Sequence, residues 1–199
     1  MSEHYYSRHP VSAHELRTVR IEAIGVEAVC VTDAGVFSKD DLDVGTRTLL
    51  EALPPLSGRV LDLGCGWGPV GLLLKKKHPA LDVVMTDIND RAVELSRQNL
   101  KRNFVEAQVV QGDGFENVAG TFDWIITNPP IRIGKAALYA LFEEAVERLN
   151  PSGQLYLVIR KQQGAESALK YLRTLDPNAE TVARNKGFHV IRVGKASEN

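Results

Sequence analysis

Apolar and polar positions alternate in two short runs near the start of the chain, Thr18–Ile24 and Val26–Thr32, with Gly25 between them. Val19, Ile21 and Ala23 share one face of the first run, the two-residue period of a half-buried strand. The pair reads as a hairpin closed by Asp33-Ala34-Gly35. From Gly58 the pattern changes to a regular alternation of strands and helices. Arg59–Leu63, Asp82–Thr86, Ala107–Val110, Phe122–Thr127 and Gln154–Ile159 are short strands, apolar or rich in β-branched residues. Between them lie helices at Pro69–His78, after the N-cap Asn89 (Ala92, Val93, Leu95, Leu100), at Ala136–Leu149 and at Ala165–Leu175. The third carries Leu138, Leu141, Phe142, Val146 and Leu149 on one stripe, and Asn150-Pro151-Ser152-Gly153 is its stop signal. Two last strands, Glu180–Arg184 and His189–Val193, turn through Lys186-Gly187.

Strands joined by helices of this length imply right-handed crossovers and a parallel sheet. The expected fold is α/β: a Rossmann-like, doubly wound, seven-stranded sheet, mostly parallel. One antiparallel strand lies near its C-terminal edge, and a β-hairpin precedes it. Residues 1–35 form an arm and hairpin extension, and residues 36–199 one compact domain.

Composition narrows the class without naming a chemistry. The chain has 199 residues, 44% hydrophobic and 25% charged, enough for one domain with a sizeable core. A formal net charge of −1 gives no global attraction to nucleic acid, so any such affinity must come from a local patch. Cys30 and Cys65 have no metal-ligand spacing and suit reduced thiols. His4, His9 and His14 match neither one helix face nor a usual zinc pattern, so no metal site is expected. Met1 to Pro10 is polar, and no apolar run reaches membrane-spanning length. A cytoplasmic, soluble protein follows, and monomer and homodimer both fit.

The chemistry gathers at strand ends, where open parallel sheets bind ligands. Asn128-Pro129-Pro130-Ile131 follows the strand Phe122–Thr127. Two prolines fix two φ angles, remove two donors and hold Asn128 extended. A turn-forming Asn has the same signature, so this motif alone does not decide. Leu61-Asp62-Leu63-Gly64-Cys65-Gly66-Trp67-Gly68 leaves the first strand of the alternating region for a helix. Gly66 to Gly71 also spells G-x-G-x-x-G, which keeps a nicotinamide oxidoreductase in view. Asp62, just before the loop, would repel phosphates and suit an ammonium group. Asp87 ends the next strand, placed for ribose hydroxyls, and Asp113-Gly114 follows the one after, placed for an adenine amine. Ammonium, ribose and adenine recognition without a phosphate site describes S-adenosylmethionine (SAM).

In that order the glycine loop, Asp87, Asp113 and Asn128-Pro129-Pro130-Ile131 resemble the motifs of class I SAM-dependent methyltransferases. The resemblance is closer to the small-domain group, which includes ribosomal RNA small subunit methyltransferase C and its single-domain bacterial relatives. Three segments carry it: His4-Tyr5-Tyr6-Ser7, Gly35 to Gly45 with its Phe37-Ser38-Lys39-Asp40, and Asn185-Lys186-Gly187-Phe188. It implies SAM as cofactor, with Phe37, Asp62, Gly64, Cys65, Gly66 and Gly68 at the cofactor's site. Asp87, Ile88, Asp113, Gly114 and Asn128 complete that set. Asn128 and Pro129 become the catalytic pair, accepting hydrogen bonds from the NH2 group of a planar acceptor. Pro130, Ile131, Arg132 and Lys135 join them in binding substrate, the two cations against flanking phosphates.

The implied reaction is methylation of a guanine N2 amine in ribosomal RNA, so RNA is the expected partner. Adenine N6 and a protein glutamine amide are the rival acceptors, and a non-catalytic SAM-binding module is the rival role. Related loops with Tyr or Phe at the position of Ile131 stack a ring on the acceptor. Here that ring has to come from elsewhere, with Phe37 and Tyr6 as candidates. Lys75-Lys76-Lys77 sits at a helix C-terminus, where cations suit the dipole, and reads as structural.

Overall fold

The computed structural model describes residues 8, 15–33, 36 and 41–195. Strands β1 (Arg17–Ala23) and β2 (Val26–Thr32) form the expected antiparallel hairpin. It turns through Ile24 and Gly25, both in left-handed conformation at φ 50° and 79°. A helix absent from the sequence reading follows, α1 (Val44–Glu51), whose N-cap Asp43 accepts from Thr46 N. The alternating region then runs β3 (Arg59–Leu63), α2 (Pro69–Lys77), β4 (Asp82–Asp87), α3 (Asp90–Arg102) and β5 (Gln108–Gln111). It continues through β6 (Phe122–Thr127), α4 (Lys135–Glu147), β7 (Leu149–Arg160) and α5 (Ala165–Leu175) to β8 (Glu180–Asn185) and β9 (Phe188–Gly194).

The seven-stranded sheet has the order β5-β4-β3-β6-β7-β9-β8. β3 pairs in parallel with β4 on one side and β6 on the other, so the winding direction reverses between β3 and β6. β9 is antiparallel to both neighbours and lies one strand in from the edge, which is β8. Asn150 to Gly153 does not end a helix. α4 stops earlier, at Glu147, and Leu149 already pairs with Phe122. The Pro-Gly segment is an irregularity near the start of β7, with Ser152 at φ 63°.

Successive strand residues feed opposite layers. Val60 and Ile126 face α1, α2, α3 and the hairpin, whereas Leu61 and Ile125 face α4 and α5. α2 is wedged so tightly that consecutive Leu72, Leu73 and Leu74 are all buried. Two asparagines dock the hairpin on α3. Asn99 accepts from Val31 N at 2.7 Å and donates to Val31 O and Trp67 O, each at 2.9 Å. One helical turn on, Asn103 accepts from Val29 N at 3.2 Å and donates to Val29 O at 2.9 Å. Lys76 Nζ adds a bond to Glu27 O at 2.6 Å. Cys30 and Cys65 are free thiols, both buried. Burial pushes the Cys30 thiol up to about 12, which leaves it protonated and inert. No helix of the described residues is long and apolar enough to cross a membrane.

Candidate active site

A crevice of about 760 Å³ opens where the winding reverses, beyond the carboxyl ends of β3 and β6. The glycine loop forms one side. Gly64 N and Cys65 N both donate to Thr86 O at 2.9 Å, tying the end of β3 to β4. Gly64 and Gly66 have φ 75° and 58°, and an added Cβ at either would meet nothing within 4 Å. Backbone there is bare and open. Gly68 plays another part: at φ 91° it starts α2, and a Cβ would come within 2.9 Å of Met85 Cε and Ser96 Oγ. It does not line the crevice. Gly71 is likewise a packing glycine, since a Cβ there would lie 2.7 Å from Met85 Sδ.

The carboxylates at this end are engaged with backbone. Asp87 Oδ2 accepts from Gly66 N at 2.8 Å and Oδ1 from Asn89 N at 2.9 Å. Burial raises its pKa, while the N–H groups of Asn89, Gly66 and Ile88 oppose the rise. Asp62 is buried, and its Oδ2 accepts from Gly71 N at 2.9 Å. Burial pushes Asp62 up to about 7, the Gly71 N–H opposing and the Asp87 charge adding. Cys65 Sγ lies 3.5 Å from Ser96 Oγ, and burial raises its pKa as well. Asp113 and Gly114 reach the crevice rim, Asp113 exposed and Ile88 beside them. Thr86 lines the same space, and its Oγ1 is buried and without a hydrogen-bond partner among the described residues.

The other side is built by β6 and, unexpectedly, by α1. Thr127 Oγ1 donates to Leu63 O at 2.7 Å and fastens the end of β6 to β3. Asn128 Nδ2 donates to Thr46 Oγ1 at 3.1 Å. That bond uses the amide's donor end, and Asn128 lines the crevice with its Oδ1 left as an acceptor. Pro129 is buried, and Ile131 starts a short 3-10 turn through Ile133. Arg132 is exposed at the rim.

The structure therefore brings together Asp62, Gly64, Cys65, Gly66, Asp87 and Ile88 with Asp113, Gly114 and the Asn128 to Arg132 segment. Lys135 is not in this group: its ammonium lies 5.4 Å over the Tyr139 ring on α4, outside the crevice. Phe37 and Tyr6 lie outside the described residues. Sequence reading missed Thr46, Arg160 and Phe188 as lining residues. Phe188 belongs to a segment visible as a motif and Thr46 directly follows another, but nothing in either gave the long-range contact.

An open α/β sheet whose crevice pairs bare glycine backbone with strand-end carboxylates is the frame of a nucleoside-binding enzyme, and the relatives make its class that of the SAM-dependent methyltransferases. The chain belongs to the methyltransferase small domain family, whose model matches residues 27–192. It is 41% identical over 200 residues to the uncharacterized protein YbxB of Bacillus subtilis (strain 168), covering 98% of this chain and 100% of that one. It is 40% identical over 179 residues to ribosomal RNA small subunit methyltransferase C of Photorhabdus laumondii, covering 85% of this chain and 51% of the relative. Among solved structures it matches the T. thermophilus 16S rRNA N2 G1207 methyltransferase in complex with AdoMet and guanosine. There the TM-score is 0.82 at 27% identity, over 94% of this chain and 52% of that one. The chain thus spans about half the length of these last two proteins. The G-x-G-x-x-G match belongs to this family's loop, with its last glycine spent on helix–strand packing.

Proposed function

We propose that this protein methylates the exocyclic N2 amine of a guanine in ribosomal RNA, with Asn128 and Pro129 holding the acceptor nitrogen. The observation that carries the reading is the Asn128 amide, whose nitrogen is committed to Thr46 and whose oxygen is left to accept. Oδ1 and the Pro129 carbonyl take hydrogen bonds from the amine. They draw its lone pair out of the base ring and fix its direction. The proton shed on methylation passes to water. Ribosomal RNA is supported by the names of the Photorhabdus and T. thermophilus proteins, and guanine N2 by that of the T. thermophilus protein alone.

The site fits SAM on this chain's own features. Open space at Gly64 and Gly66, the orphaned Thr86 hydroxyl and the Asp62 and Asp87 carboxylates suit a cationic nucleoside and repel a pyrophosphate. Bound there, SAM supplies a methyl group already activated on a sulfonium. Asp62 meets its ammonium, Asp87 its ribose hydroxyls through unused lone pairs, and Asp113 and Gly114 its adenine, beside Ile88 and Cys65. Gly68 acts through the loop's shape. The target base must leave its stack to reach Asn128. Arg132 at the rim then holds a flanking phosphate, and Lys135 one further along the strand.

Burial of Asp62 makes cofactor binding depend on pH. A carboxyl raised to about 7 costs folding stability progressively as pH climbs from the ordinary carboxylate range to that value. An ammonium partner removes that cost, so binding releases a proton. SAM affinity is expected to rise with pH between about 5.5 and 7, approaching tenfold per unit at the acid end. Calorimetry across this range checks it, and Asp62→Asn should flatten the dependence. A profile of equal slope in Asp62→Asn assigns the proton elsewhere.

The function itself is tested by methyl transfer from labelled SAM into small-subunit particles, naked rRNA, DNA and protein extract from cells lacking the protein. N2-methylguanosine in rRNA or in the particle is the expected product. Label in N6-methyladenosine or in methylated glutamine would move the acceptor, and no label would remove the enzyme.

A further inference from the structure

Ile131 offers no ring for an acceptor base to stack on, yet an aromatic ring and a guanidinium stand together elsewhere in the crevice. Arg160 ends β7 and Phe188 begins β9, and their antiparallel pairing sets them directly across from one another. Both line the crevice together with Asn128 and Ile131. The Arg160 guanidinium carbon lies 4.9 Å from the centroid of the Phe188 ring. Phe188 is half-buried and Arg160 exposed.

The pair is held from several directions. Lys161 N donates to Gly187 O at 2.8 Å, and Asn185 Nδ2 donates to Thr48 Oγ1 at 3.1 Å. Gly45 leaves room for the ring, since a Cβ there would come within 2.8 Å of its Cδ1 and Cε1. Its chain neighbour Thr46 holds Asn128. The first turn of α1 therefore sets the ring and the catalytic amide in one frame.

We propose that Phe188 and Arg160 form the stacking wall for the acceptor base, a role that rests on the reading of a flipped purine as substrate. Unstacked bases stack on aromatic rings and on guanidinium planes alike. A cation over the ring keeps both groups in place. A glutamine amide presents a much smaller planar face than a purine, so the wall favours nucleobase over protein.

The probe is 2-aminopurine riboside, which carries its amine on the same ring carbon as guanine and loses fluorescence on stacking. Titrated into protein saturated with S-adenosylhomocysteine, it is expected to be quenched. Phe188→Leu and Arg160→Gln should each weaken that binding by roughly tenfold or more, and Phe188→Trp should keep it. kcat/KM for RNA should fall by a similar factor while SAM affinity holds. No quenching by the wild type, or unchanged binding and kcat/KM in both folded variants, overturns the wall. Because quenching needs no turnover, absence of methyl transfer by the wild type would instead overturn the ribosomal RNA reading. Arg160→Gln alters an exposed side chain, so it decides the matter even where Phe188→Leu fails to fold.

Discussion

Asn128→Ala is expected to cut kcat about a thousandfold while the protein still binds SAM to within roughly tenfold of the wild type. The reason is the asymmetry of the amide's surroundings. Its nitrogen is held by Thr46, which favours one orientation of the amide, and in the proposed mechanism the oxygen is thereby set before substrate arrives. Preorganised groups of this kind are worth most when charge develops beside them. Thr46→Val keeps the shape of the residue but frees the amide. It should fall between the wild type and Asn128→Ala in kcat, with little change in KM for SAM, and Thr46→Ser should restore most of the loss. Single-turnover methyl transfer and calorimetry on the same preparations separate the two effects. Full transfer by Asn128→Ala would sink the mechanism even with SAM as the cofactor.

Asp87→Ala carries the second large effect, this time on affinity. The carboxylate accepts from Gly66 N and Asn89 N, joining the glycine loop to the start of α3. Its loss orphans both donors, at about 1–3 kcal/mol for each one kept from water. In the proposed placement of the cofactor it also removes the acceptor for a ribose, and hydrogen bonds to a charged group contribute about 1.5–3 kcal/mol. SAM affinity is expected to drop roughly a hundredfold or more, with a lower thermal midpoint. Asp87→Asn retains one acceptor oxygen and should lie between. Wild-type affinity in a well-folded Asp87→Ala would show that the carboxylate serves the loop alone.

The parts of the fold legible in the sequence are those set by local pattern. β3, β6 and α5 occupy the expected residues, and the other strands from β4 on differ at their ends by a residue or two, apart from the start of β7. α1 escaped because it is only eight residues long and includes a glycine and two threonines, which favour helix poorly. The start of β7 was misread because Pro and Gly normally punctuate, and only pairing with β6 shows that strand resumes across them. The carboxylates were legible for a simple reason: a strand's end is readable, and parallel topology gathers strand ends. Thr46 and Asn128 are 82 positions apart, and no periodicity links them. The placement of Lys135 over the Tyr139 ring, outside the crevice, was likewise beyond what the sequence could show.

The asparagine docking of the hairpin has a consequence for association. A two-stranded ribbon exposes ladder groups that another strand can adopt. On β2 the groups pointing away from β1 recur at Glu27, Val29 and Val31, and side chains of Lys76, Asn103 and Asn99 occupy them. A helix surface thus imitates a third strand, filling both ladder groups at Val29 and Val31 and the carbonyl at Glu27. Since Asn99 also grips Trp67 O in the glycine loop, any displaced hairpin would pull on the cofactor's cradle. Guarding against fibre-like pairing and keeping the loop's shape are, in this molecule, one constraint.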